Sequence, residues 1–239
     1  MAELKIVCPS HDRAETLSTH KAVAGIVVVV EESQKGAYLD ANPGLEIETH
    51  PDSLRGIAAK RQWMYERWGD LFMLDDDISS VVFLGTESGK PEKVDPGSVR
   101  DRIIGLHDEA VSRGIVLYGF GVLPNPMYYE PQSPYKLAGN INGGAFGMRP
   151  SPHLYFHPGL VVFDDMWISA LNAYYHRVIL KDMRYQLVTA PMNVTPGGMA
   201  HERNTRTTAA SRELLDLHFG TAVRNSKVSE ALLHMEIPW

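Results

Sequence analysis

Gly69-Asp70-Leu71-Phe72-Met73-Leu74-Asp75-Asp76-Asp77 is the stretch on which the fold turns. A short apolar run enters three consecutive carboxylates. An apolar run without polar alternation reads as a strand covered on both faces. Adjacent carboxylates repel one another unless a cation neutralises them. In open α/β sheets the carboxyl ends of the strands are where ligands bind. Oxygen-only donors there suit Mg²⁺ or Mn²⁺, which in turn grip diphosphates. A solvated acidic turn is the plainer reading, and three Asp straight after a buried strand argue against it.

Outward from this stretch, strands and helices alternate. Upstream, Leu4–Pro9 and Gly25–Glu31 read as strands, the second a β-branched run buried on both faces, and Leu45–Thr49 as a weaker one. Ser10 or Asp12 is expected to cap a helix running to about Ala24, and Asp52 or Ser53 one through Arg67 that Gly69 ends. Downstream, Asp95-Pro96 starts a helix to about Arg113, Ile115–Phe120 is a strand, and Asp164 or Asp165 opens a helix through about His176. The alternation predicts an α/β fold with a doubly wound, mostly parallel central sheet flanked by helices. The second half is more irregular, as expected of a substrate-binding half. The expected organisation is a single domain over 1–239, with a nucleotide-binding half at 1–85, an acceptor and catalytic half at 115–205, and a helical tail at 206–239.

Bulk properties narrow the function. Hydrophobic residues make up 44% of the 239, enough for a sizeable core. No run approaches the ~18–20 apolar residues that cross a bilayer, and no secretory signal is seen at Met1–Lys5, so no membrane partner is expected. Cys8 is the single cysteine, which fits a reducing cytoplasm, the host's if the chain is phage-encoded. The net charge of −6 disfavours a uniformly basic nucleic-acid-binding surface. Even so, Arg177, Arg184, Arg203, Arg206, Arg212, Arg224 and Lys227 tilt the C-terminal third towards basic, which permits a local anion site.

Gly56-Ile57-Ala58-Ala59-Lys60-Arg61-Gln62, followed by the Gly69–Asp77 stretch, resembles the core of GT-A glycosyltransferases: a helix with a basic residue before Asn or Gln, a Gly-Asp strand entry, then the DxD motif. The resemblance implies a GT-A-like fold, with Asp75 towards the nucleotide ribose, Asp77 on the metal and Asp76 between them. It implies Arg61, or Lys60, reaching the nucleotide. Val7-Cys8-Pro9-Ser10-His11-Asp12-Arg13 is similar to the family's first strand and turn, which makes Ser10 and Arg13 candidates for the base. Glu31, at the end of the second strand, is another. For Ser10 the competing reading is a helix cap; for Arg61, a solvent-exposed helical cation.

Asn142-Gly143-Gly144-Ala145-Phe146 resembles the family's glycine segment beside donor sugar and acceptor, where backbone amides approach a ligand closely. A bulge or strand corner is the alternative. Phe163-Asp164-Asp165-Met166-Trp167-Ile168 looks like the acidic helix start that in inverting members carries the general base. Asp165 is the first choice and Asp164 the second, against an ordinary N-cap. His201, between Gly197-Gly198 and Arg203, lies where many members place a late metal-binding histidine on a closing loop.

The resemblance implies a hexosyl- or pentosyltransferase using a nucleotide-diphosphate sugar, with UDP-sugars first, and Mn²⁺ or Mg²⁺. The compact format resembles phage-type enzymes, including the glycosyltransferases associated with TET/JBP base hydroxylases, which implies hydroxymethylated DNA as a partner. Tyr128, Tyr129, Tyr135 and Trp167 would then offer stacking surfaces for a flipped base. A protein, glycan or small-molecule acceptor stays open, as do stereochemistry and oligomeric state. A sugar nucleotidyltransferase is the next reading, although the turn after the first strand lacks its glycine-rich phosphate loop. A non-catalytic nucleotide-sugar-binding module is the third.

Overall fold

The structure is a computed structural model that describes residues 4–121, 127, 129–189, 198, 202–225 and 233–235. In chain order the elements are β1 (Lys5–Pro9), α1 (Thr19–Ala22), β2 (Val27–Glu31), α2 (Lys35–Ala41), β3 (Glu46–His50), α3 (Ile57–Trp68), β4 (Leu71–Leu74), β5 (Ile78–Phe83), β6 (Glu92–Lys93) and α4 (Pro96–Ser112). β7 (Leu117–Phe120), β8 (Tyr135–Lys136), β9 (Ala145–Met148), α5 (Asp164–Tyr175), β10 (Ile179–Asp182), β11 (Tyr185–Thr189), α6 (Thr205–Phe219), β12 (Val223–Asn225) and β13 (Leu233–Met235) follow. Eight strands form the main sheet in the order β3-β2-β1-β4-β9-β7-β10-β8. β1 to β4 are mutually parallel, as are β7 and β10, while β9 runs antiparallel between β4 and β7. A second sheet, β11-β5-β6, is antiparallel.

The alternation of each central strand feeds two cores. Ile6, Cys8, Val28, Val30, Phe72 and Leu74 pack on one face with Val99, Ile103 and Leu106 of α4. Val7, Val27, Val29, Leu71 and Met73 pack on the other with Met64 of α3 and Trp167, Ile168 and Leu171 of α5. Helices thus cover both faces, which is what makes the strands apolar throughout rather than alternating. The doubly wound, mostly parallel sheet expected from the sequence is the one observed.

Three local expectations are corrected. The helix expected from Ser10 to Ala24 shrinks to Thr19–Ala22. Asp12 sits at φ +52 and Ser10 Oγ is engaged elsewhere, so neither caps a helix. The helix expected from Asp52 begins at Ile57, because Asp52 Oδ1 accepts the Ser33 N–H at 3.0 Å and Gly56 holds φ +78 at the helix entrance. The C-terminal tail is not all helical: Gly220, at φ +55, ends α6, and β12 and β13 form an antiparallel pair. No element was expected where α2 lies, since Gly36 interrupts it and only Tyr38 is buried.

Candidate active site

From β1 the chain winds through β2 to β3 on one side of the sheet, then returns to β4 on the other, so the crevice of the sheet opens at the carboxyl ends of β1 and β4. Ser10 and Arg13 follow β1, Glu31 ends β2, and the Asp triplet follows β4. Because β9 runs antiparallel, Gly143 and Gly144 enter from the same edge. Asp75 N–H donates to the Gly144 carbonyl at 3.0 Å, joining the two segments. His201 lies outside the described residues.

The three carboxylates have different surroundings. Asp76 is buried: Ser10 Oγ donates to its Oδ2 at 2.5 Å and Arg13 pairs with its Oδ1. Ser10 Oγ also meets the Tyr38 hydroxyl at 2.7 Å, and the Arg13 N–H donates to that hydroxyl at 3.0 Å. The backbone of the triplet is pinned by Thr19, whose hydroxyl donates to the Asp75 carbonyl at 2.6 Å and accepts the Ile78 N–H at 3.1 Å. Asp75 and Asp77 keep side-chain exposures of 44% and 29%. Desolvation pushes Asp75 up to about 7, with Arg61 opposing and Asp77, Asp76 and Asp164 adding to the rise. Asp77 is raised by desolvation and by Asp76, against Arg13 at 3.6 Å.

Two partly open carboxylates, each penalised for its charge, are a fitting donor set for a hard divalent cation. Among the described residues no group of three or more His, Cys, Asp or Glu side chains converges to hold a metal alone.

Arg61 is buried, with both terminal nitrogens engaged and Nε left without a partner. It pairs with Asp164 through Nη1, and its Nη2 donates to Asp75 Oδ1 at 2.8 Å and to the Gly143 carbonyl at 2.7 Å. Its guanidinium lies 5.1 Å from the centre of the Phe146 ring, a cation–π contact. Lys60, one residue earlier, turns to Glu31, where Oε1 accepts from Nζ at 2.7 Å and lies 2.8 Å from His11 Nδ1. Burial would raise Glu31, but the hydrogen bonds from His11 and Lys60 outweigh it and bring it down to about 2. The other oxygen, Oε2, is buried and lacks a partner.

Gly143 and Gly144 are flanked by the two acidic groups. A Cβ at Gly143 would lie 3.4 Å from Asp165 Oδ2, and one at Gly144 would lie 3.4 Å from Asp75 Oδ2. Asn142 Oδ1 fixes this turn by accepting the Gly144 N–H at 3.0 Å. Neither Asp caps α5 as a side chain; its N-cap is Phe163, in the left-handed region at φ +67. Asp165 Oδ1 accepts the Met166 N–H at 2.9 Å, and its other oxygen faces the glycines. Desolvation first, then Asp164, push Asp165 up to about 6. Of the aromatic residues, Trp167 is core, Tyr135 is held among arginines, Tyr129 packs beside Leu84 and Met183, and Tyr128 lies outside the described residues.

Sequence reasoning missed Thr19, Tyr38 and Asn142 as organisers of this edge. Asn142 carried a signal, as an Asn before two glycines. Thr19 and Tyr38 carried none, because their roles depend on the non-helical path of residues 10–18.

No curated protein matches the chain. Among solved structures, that of CMP:2-keto-3-deoxy-manno-octonic acid synthetase complexed with CTP is similar at 10% identity and a TM-score of 0.42, over 90% of this chain and 100% of that one. Residues 4–108 match the family model described as TET-Associated Glycosyltransferase. That span holds Ser10, Arg13, Glu31, Lys60, Arg61 and the Asp triplet.

Proposed function

We propose that the chain transfers a hexosyl or pentosyl group, with inversion, from a nucleotide-diphosphate sugar to an acceptor hydroxyl. UDP-sugars are the first donors and Mn²⁺ or Mg²⁺ the cation. The acceptor is the hydroxymethyl group of a modified pyrimidine in DNA, a reading supported by the matched family's link to TET enzymes. One observation carries the chemistry: the Gly143-Gly144 pair has Asp75 against one residue and Asp165 against the other. The bare backbone lets a cation-side carboxylate and a base-side carboxylate close in on adjacent residues, where a side chain would crowd them.

Arg61 decides which acid acts as base. It occupies Asp164, so Asp165 is left with an oxygen facing the glycines. Asp165 accepts the proton of the acceptor hydroxyl as the new C–O bond forms. The bond from the anomeric carbon to the diphosphate breaks, and its electron pair leaves with the diphosphate. A bound cation would be held by Asp75 and Asp77 and would neutralise the diphosphate's charge. Asp76, held by Ser10 and Arg13, keeps the other two carboxylates in place.

The test is transfer from a panel of nucleotide sugars to hydroxymethylated DNA, with and without Mn²⁺. Asp77→Ala is expected to lose the Mn²⁺ dependence, and Asp165→Asn to lose about 10²–10⁴ in kcat. An Asp165→Asn enzyme with wild-type kcat, or a product of retained anomeric configuration, overturns the assignment of the base.

A further inference from the structure

We propose that Lys136 and Lys181 form an anion subsite that holds a phosphodiester of the nucleic-acid acceptor beside the nucleotide being glycosylated. This rests on the DNA reading above and adds the place where the acceptor's backbone is gripped.

The two lysines face one another directly across the antiparallel β8–β10 pair. Like charges in that relation repel. Their register is imposed by neighbours. The Tyr135 hydroxyl accepts from Arg184 Nη2 at 2.6 Å and from Arg102 Nη2 at 3.2 Å, and donates to Glu109 at 3.2 Å. On either side of β8, Met183 N–H donates to the Pro134 carbonyl at 2.8 Å and Ile179 N–H to the Leu137 carbonyl at 3.2 Å. With Tyr135 fixed on the α4 side by Arg102, strand alternation sends Lys136 to the α5 side, against Lys181.

Neither lysine has a carboxylate partner among the described residues, although the chain carries an excess of acids. Lys181 Nζ donates instead to the Asn140 carbonyl at 3.1 Å. Burial and Lys136 lower it to about 8, the signature of a cation that lacks a counter-ion. The more prominent arginines are already committed: Arg184 to Asp182 at 2.8 Å and Arg212 to Asp216 at 2.9 Å.

The position fits an acceptor backbone. Lys181 pairs with Gly119 and Gly119 with Phe146, the residue under Arg61. That separates Lys181 from the catalytic strand by two strand spacings, about 10 Å. Between them the chain runs from Asn140 to Gly143. Ile141 N–H is fixed by Ser169 Oγ at 2.9 Å, and that hydroxyl donates to the Asp165 carbonyl at 2.6 Å. Protection of an exposed sheet edge explains Lys136, which lies on the outermost strand, but not Lys181 on the strand inside it.

The experiment compares kcat/KM for an oligonucleotide bearing one hydroxymethylcytosine with that for the free hydroxymethyl nucleoside, which has no phosphate. In Lys136→Glu, at an exposed position, and in the Lys136→Glu/Lys181→Gln double variant, the ratio of DNA to nucleoside kcat/KM is expected to fall about tenfold or more. The slope of log affinity against log salt should shrink by about one per lysine. Lys136→Arg/Lys181→Arg should restore both. An unchanged ratio and salt slope in the double variant overturn the subsite alone. Wild-type enzyme that glycosylates the nucleoside but neither binds nor modifies the oligonucleotide overturns the DNA reading together with the subsite.

Discussion

At the residue scale the site is governed by which carboxylates are neutralised. As the proposed base, Asp165 would have to be ionised to accept a proton, and desolvation and then Asp164 raise it to about 6. Wild-type kcat is therefore expected to fall as pH drops through about 6, and a pH–rate profile checks it. Arg61 is the opposite case, a buried cation between acids. Arg61→Met is expected to cost about 3–5 kcal/mol, because it leaves the buried Asp164 carboxylate unpaired. Urea unfolding measures this, and Arg61→Lys should recover part of the loss but not the two-sided geometry. Much of this was legible in the sequence as residue identity: Arg61, the Asp triplet and Asp165 stand out there. Their partners were not. That Arg61 turns inward to Asp164, rather than outward, depends on a contact spanning 103 positions that no local pattern encodes.

At the element scale, β2 and α3 are joined by one buried ion pair. Glu31 has its folded value depressed to about 2 from an ordinary 4.5. A depressed carboxylate stabilises the fold above its unfolded value and loses that contribution as pH falls through the folded one. The window is therefore from about 4.5 down to about 2. Glu31→Gln should flatten the acid limb of stability against pH in that window, as followed by urea titration. The strands were readable because burial on both faces makes them continuously apolar. The helix starts were less so. Asp52 has the composition of a cap, yet its oxygen serves Ser33, and Ser10 serves Asp76. Capping side chains also hydrogen-bond elsewhere: Asp52 accepts from Ser33 and Ser10 donates to Asp76, so tertiary partners took these two.

At the scale of the whole molecule, Ser10, Arg13, Glu31, Arg61 and the Asp triplet all lie within residues 4–108, while Gly143, Gly144 and Asp165 arrive later. The sheet order could not be read from the sequence, because the antiparallel insertion of β9 between β4 and β7 leaves no periodic mark. Binding of a nucleotide diphosphate with Mn²⁺ is expected to raise stability by about 2.7 kcal/mol at a hundredfold excess over Kd. Thermal unfolding should show this in the wild type, and Asp77→Ala should lose the Mn²⁺-dependent part.

The contacts of Arg61 also bear on the order of events. One guanidinium holds Asp75, on the proposed donor side, together with Asp164 and the Gly143 carbonyl, on the proposed acceptor side. Any change in the charge around Asp75 on donor binding is transmitted to the acceptor side through a single rigid fork. In the proposed transferase the two substrates would then be energetically linked, each altering the other's affinity by the same factor. Equilibrium titrations of each substrate with and without the other should show equal changes in the two Kd values, and Arg61→Lys should weaken that change.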